Sequence, residues 1–209
     1  MKKVILIMLM TFTTITACTT IPSASEEVIS FPFTLDSAKN WRYVSDRVMG
    51  GVSDGQVSLE QDGEVIYARL TGNVSTRNRG GFIQLNSSSS LFNKPLMIKS
   101  VRNSEKNGRK LQGVRLNVRG NGETYYIFIQ TNETRSVSDH YRASFEASSS
   151  WETIDLPFDQ FVRKRINING LDTVIDSKLE AKNIRSFGIM AYGRDFISDV
   201  SVSKIIFYY

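Results

Sequence analysis

Residues 114–131, VRLNVRGNGETYYIFIQT, decide the fold class. Val114, Leu116 and Val118 alternate with Arg115, Asn117 and Arg119. A period of two places successive side chains on opposite faces of a strand, so this one is half-buried in a sheet. Asn121-Gly122 then supplies the positive φ that a tight turn needs, and residues 123–131 form a second run rich in aromatic and β-branched side chains. Working outward, the rhythm recurs. Residues 56–60 and 64–71 flank Asp62-Gly63, and residues 141–147, 151–156, Ile184–Tyr192 and 200–209 are further strands. Beyond Phe31 no segment holds a helical period over three turns; single helical turns are expected only at residues 36–40 and 157–162. About ten short strands with Gly, Asn and Asp turns and no βαβ rhythm predict an antiparallel β-sandwich. Residues 87–90 are a serine tract and residues 102–110 a polar, basic loop, too short to divide the chain.

Composition excludes a good deal of chemistry. The chain has 209 residues, one Cys and one His. An internal disulfide and a Cys- or His-rich zinc site are therefore impossible, and any catalytic triad would have to use His140. Lys2 and Lys3 precede an unbroken apolar run, Val4 to Met10, which is an export signal too short to span a bilayer core of about 30 Å. Ile15-Thr16-Ala17-Cys18 resembles the lipobox of bacterial lipoproteins. The expected organisation is a lipoprotein signal peptide over residues 1–17, an acylated Cys18 with a polar tether over residues 18–30, and one domain over residues 31–209. Acyl chains on Cys18 would hold the protein to a membrane at about 0.8 kcal/mol per buried CH₂. Thr19, where an Asp would signal inner-membrane retention, favours the outer membrane and its periplasmic face in a Gram-negative host. Loss of Lys2 and Lys3 lowers the net charge from +5 to +3, so net charge gives no nucleic-acid partner.

Trp41, Asp46-Arg47-Val48-Met49-Gly50-Gly51-Val52-Ser53 and Arg79-Gly80-Gly81-Phe82 together resemble the complex I intermediate-associated protein 30 family. The likeness continues through Gly120-Asn121-Gly122-Glu123-Thr124-Tyr125-Tyr126, through Tyr141, Phe145 and Trp151, and through Pro157-Phe158-Asp159-Gln160-Phe161 to the closing strand at Phe207-Tyr208. It spans about residues 31–209. Asn121 stands where the family often has Asp. The resemblance implies a galactose-binding-like jelly roll that works by binding partners, not by catalysis. Its mitochondrial members are complex I assembly factors, a role that export to an envelope does not carry over.

Two groups of residues are candidate binding sites. Asp46, Arg47, Gly50, Gly51, Ser53, Gly80 and Gly81 either surround a ligand or lock a turn through the Asp46 carboxylate. Arg69, Arg115, Asn117 and Arg119, joined by Arg142 and Gln130 if the strands are neighbours, would give one sheet face several guanidinium forks suited to carboxylate or phosphate. Trp41 and Trp151 are expected in the core. His140 is expected solvated in a loop, as is Arg163-Lys164-Arg165. There is no phosphate loop, no nucleophile elbow and no calcium-loop string, so no cofactor, metal or catalytic residue is expected. The leading expectation is a lipid-anchored envelope scaffold or assembly factor that binds a protein partner. The alternative is a carbohydrate-binding module for an anionic glycan. A face with Trp or Tyr and clustered Arg favours glycan; an apolar patch near the Gly-Gly loops favours protein.

Overall fold

Val114, Leu116 and Val118 are fully buried, and the arginines between them point outward. Around that strand the computed structural model describes residues 27–88, 91, 101, 105–134, 136–166 and 171–209. Among them run thirteen strands: β1 (Glu27–Pro32), β2 (Trp41–Ser45), β3 (Asp54–Asp62), β4 (Val65–Val74), β5 (Phe82–Ser87), β6 (Gly113–Gly120), β7 (Thr124–Thr131), β8 (Asp139–Glu146), β9 (Glu152–Pro157), β10 (Val162–Ile166), β11 (Asp172–Ile175), β12 (Ile184–Tyr192) and β13 (Phe196–Tyr208). Cys18, the export signal and most of the tether lie outside the described residues, as do parts of the serine tract and of the basic loop.

All pairings are antiparallel. One sheet has six strands in the order β3-β4-β13-β6-β9, with β1 also on β13; the other has seven, in the order β11-β10-β8-β7-β12-β5-β2. The two pack as a sandwich around one core. From the first sheet come Leu70, Leu116, Val202 and Phe207, and from the second Leu85, Ile127, Ile129, Phe187 and Ile189. Phe187 lies 4.9 Å from Phe31 and 5.2 Å from Phe207, ring centre to ring centre. Trp41 joins them, 4.6 Å from Phe33 and 5.6 Å from Phe187, as a core residue. Short 3-10 turns fall at Leu35–Asn40 and Phe158–Gln160, where single helical turns were expected.

Three expectations need correction. Strand β8 begins at Asp139, so His140 is a strand residue only 2% exposed and not a solvated loop residue. Arg163-Lys164-Arg165 is the middle of β10, not a loop. Arg163 and Arg165 both grip the buried Asp139 carboxylate, at 3.0 Å and 2.6 Å, which lets a strand of charges sit in the sheet. Trp151 is not in the core. It lies on the outside of the six-stranded sheet, edge-on to Tyr67 at 5.4 Å and under the Arg119 guanidinium at 4.8 Å.

Candidate functional site

The two Gly-Gly segments meet on one carboxylate. Asp46 is 0% exposed. Its Oδ1 accepts the Ser53 N–H at 3.0 Å, and its Oδ2 accepts the Ser53 hydroxyl at 2.5 Å, the Gly81 N–H at 2.5 Å and the Phe82 N–H at 3.2 Å. Gly51 and Gly80 are required by close approach. A Cβ at Gly51 would stand 2.3 Å from Asp46 Cγ, and one at Gly80 would stand 2.4 Å from Oδ2. Gly50 closes the 3-10 turn Asp46–Met49, donating to Arg47 O at 3.2 Å. Arg47 Nε donates to Ser53 O at 3.1 Å, and its Nη2 lies 3.4 Å from Asp54. All the polar capacity here serves the loops themselves. Outward the clamp presents Val48 and Met49, 64% and 44% exposed, beside the exposed Arg47–Asp54 pair.

The second group divides between the two sheets. Arg69, Arg115, Asn117 and Arg119 lie on the outer face of the six-stranded sheet; Arg142 and Gln130 lie on the outer face of the other. The forks of the first set are occupied. Arg69 is bidentate on Asp199, with both contacts at 2.8 Å, and Arg115 is bidentate on Asp155 at 2.6 and 2.8 Å. Arg119 reaches Asp62 at 3.1 Å and the Tyr67 hydroxyl at 3.0 Å. Asn117 accepts from the Ser203 hydroxyl. The Arg115 contact holds the Asp155 carboxyl below the usual carboxylate range. An incoming anion would have to compete with fixed carboxylates in ideal geometry.

The outer face of the seven-stranded sheet is different. Antiparallel register lines up Arg142, Phe128, Gly188, Asn86 and Arg42 in one row, and Ser144, Tyr126, Met190, Gln84 and Val44 in the next. Phe82, Phe128 and Met190 form an apolar floor with Tyr126 and Tyr192 against it. At one end of this face Tyr126, Arg142, Lys164, Asp172 and Tyr192 line an open cavity of about 370 Å³. The two tyrosines meet edge to face at 6.0 Å. Asp172, from β11, reaches across the sheet: its Oδ2 accepts from Arg142 Nη2, its Oδ1 accepts from the Tyr192 hydroxyl at 2.9 Å, and Lys164 Nζ lies 3.9 Å away. Burial raises the Tyr192 phenol above its ordinary value. Beside the cavity, burial and then the Arg142 charge push the His140 imidazole down to about 4. Arg142 Nε and Nη1 and Asn86 Oδ1 have no hydrogen-bond partner among the described residues. Buried donors and an acceptor left without protein partners on one face are positioned to meet a polar group from outside the fold.

Of the residues in this cavity, only Arg142 was picked out from sequence as a site residue. The signal for Tyr126 was present in residues 123–131, where Tyr126, Phe128 and Gln130 oppose Tyr125, Ile127 and Ile129. A strand with large side chains on both faces has work for both. Among the described residues no group of three or more His, Cys, Asp or Glu is placed to hold a metal ion.

Three solved structures share the fold. A family 11 carbohydrate-binding module of a cellulosomal cellulase from Clostridium thermocellum superposes with a TM-score of 0.59 at 15% identity, covering 89% of this chain and 95% of that one. The Clostridium thermocellum family 11 module in complex with a β-1,3-1,4-mixed-linked tetrasaccharide gives 0.57 at 15% identity, covering 86% and 95%. A solution structure of such a module gives 0.56 at 15% identity over 90% and 98%. The fold is thus the antiparallel jelly-roll sandwich of these modules. No curated protein sequence matches the chain. The family model for complex I intermediate-associated protein 30 matches residues 31–199, which include the Asp46 clamp, and the chain belongs to the complex I intermediate-associated protein 30 (CIA30) family.

Proposed function

We propose that the protein is a non-catalytic saccharide-binding module, displayed at a bacterial envelope by acyl chains on Cys18. The observation that carries this reading is the cavity on the seven-stranded sheet, where Tyr126 and Tyr192 flank a buried Arg142 with unpaired donors. Aromatic rings suit the apolar face of a pyranose, and fixed donors and acceptors suit its hydroxyls. The shared fold supports the reading, since one neighbour was solved with a tetrasaccharide. A catalytic role has less support. His140 packs on Phe128 at 5.8 Å, and no Ser hydroxyl bonds to it among the described residues.

Calorimetric titration with a panel of neutral and acidic oligosaccharides tests this. At least one should bind, and Tyr126→Ala with Tyr192→Ala should weaken it by tenfold or more, about 1.4 kcal/mol. Replacing Arg115 and Arg119 by Gln should leave affinity unchanged, because those guanidinium groups are already committed to Asp155 and Asp62. No binding across the panel would overturn the reading. Exposed Val48 and Met49 favour a second one, docking of an envelope protein partner on the clamped loop. It predicts the opposite pattern: Val48→Asp with Met49→Asp abolishes partner recovery from membranes, and the tyrosine variants do not.

A further inference from the structure

The saccharide-binding reading leaves the chemical class of the sugar open, and the Arg142–Asp172 pair narrows it. The more exposed Arg47, Arg119 and Arg194 each meet their carboxylate at one point, but three other arginines are bidentate through Nε and one terminal nitrogen. Arg69 holds Asp199 this way, Arg115 holds Asp155, and Arg163 holds Asp139. Arg142 does not follow them. It is 5% exposed, yet only Nη2 meets Asp172, while Nε and Nη1 have no partner among the described residues. The guanidinium also lies over the Tyr192 and Tyr126 rings, 4.3 and 5.3 Å from their centres, but desolvated donors without acceptors still cost free energy.

The charges around it are unbalanced too. Arg142 and Lys164 both face the single carboxylate of Asp172. The other nearby charges are committed. Arg194 at the rim pairs with Glu123, and Asp139 is held by Arg163 and Arg165. The cluster therefore carries one surplus positive charge. The Asp172 side chain is held by Arg142, Tyr192 and Lys164, but its backbone is lightly anchored. It opens a four-residue edge strand whose only pairing is to β10 and whose residues are largely exposed.

We infer that the ligand of this site carries a carboxylate, as a uronic acid residue does, and that Asp172 occupies that carboxylate's place in the unliganded protein. On binding, the sugar carboxylate displaces Asp172 and takes Arg142 through Nε and Nη2, with Lys164 as second cation and the Tyr192 hydroxyl as donor. The ring then lies against the tyrosines. Asp172 is an internal competitor, which keeps the guanidinium partly paired until ligand arrives. This inference rests on the saccharide-binding reading and fails separately from it.

The test is calorimetric titration with oligogalacturonates and with the same oligomers after carboxyl reduction, on the wild type, Asp172→Asn and Arg142→Lys, with thermal melts to check folding. The acidic oligomers should bind tighter than their reduced forms. Asp172→Asn should tighten acidic binding by about tenfold as the competitor is removed. Arg142→Lys should weaken acidic binding and lose the preference for it, because an ammonium cannot make the two-point contact. Preference for the reduced oligomers, or weaker binding by Asp172→Asn, would show Asp172 accepting from sugar hydroxyls; that overturns the inference and leaves the saccharide reading intact. Binding to neither overturns the inference, and the saccharide reading is then decided by the wider oligosaccharide panel.

Discussion

A carboxylate with no solvent and four donors is rare, because an ionised group taken out of water must recover its hydration from the protein. Asp46 does so with three backbone N–H groups and one hydroxyl, drawn from Ser53, 7 residues along the chain, and from Gly81 and Phe82, 35 and 36 residues along it. Asp46→Asn replaces an acceptor by a donor facing other donors. It should destabilise the protein by about 2–4 kcal/mol in urea unfolding, with unchanged ligand affinity in the fraction that folds. A loss under 1 kcal/mol would remove Asp46 from its structural task. His140 poses the converse case, a titratable group buried neutral. Its folded value is about 4 against 6.5 for the free imidazole. Between these values the unfolded chain binds a proton that the folded chain refuses, so stability is full above pH 6.5 and falls as pH drops toward 4. The shift corresponds to about 3 kcal/mol. Burial sets it first and the Arg142 charge second; the Val137 backbone, Asp172 and Asp139 favour the proton less strongly, and Lys164 is the cross-strand neighbour. Asp139 and Asp155 are held below their ordinary value of 3.8, so their contributions are lost only at lower pH. Melts of wild type and His140→Gln between pH 4 and 7 should show the slope in the first and its loss in the second.

At the scale of elements, strands were legible wherever one face was apolar and the other polar. Strand β6 is the clearest case, and the β3–β4 hairpin at Asp62-Gly63 falls where its turn residues put it. Legibility failed where charges are satisfied by partners far along the chain. Nothing local in Val162–Ile166 shows that Arg163 and Arg165 will meet Asp139, 24 and 26 residues away. The same long-range pairing made residues 139 and 140 look like loop, because a polar pair at a strand's start carries no apolar period. The Asp46 clamp was half legible: adjacent glycines announce close approach, and both roles of Asp46 were open until the second glycine pair was seen against it. The cavity was least legible. It draws on β7, β8, β10, β11 and β12, and Asp172 reaches Tyr192 and Arg142 across the sheet. Side-chain chemistry was in plain view, but which face of which strand would share a row is set by register, and register belongs to the assembled sheet.

The whole molecule has two ends, and the strand that joins them measures their separation. β13 runs 13 residues from Phe196 to Tyr208, about 40 Å at about 3.3 Å per residue. At the Tyr208 end lies Glu27, the first described residue, paired directly with it. At the Phe196 end lie the clamp and the cavity rim, tied by the Gly193 N–H to Gly81 O bond at 2.9 Å. If Cys18 is the anchor, residues 19–26 reach at most about 28 Å when fully extended. That is shorter than the domain, so a domain standing upright on its loop end is out of reach, and the expected orientation has the clamp and the cavity away from the bilayer. In vesicles bearing headgroup-labelled quencher lipids, a fluorophore on the acylated protein at Asp159→Cys, near the Tyr208 end, should be quenched more than one at Met49→Cys. Stronger quenching at position 49 would place Val48 and Met49 in the interface and make the exposed apolar tip a membrane contact. The polar cavity beside it would then be held against headgroups, where a phosphate competes for Arg142, so the same measurement decides whether the site is open to sugars at all.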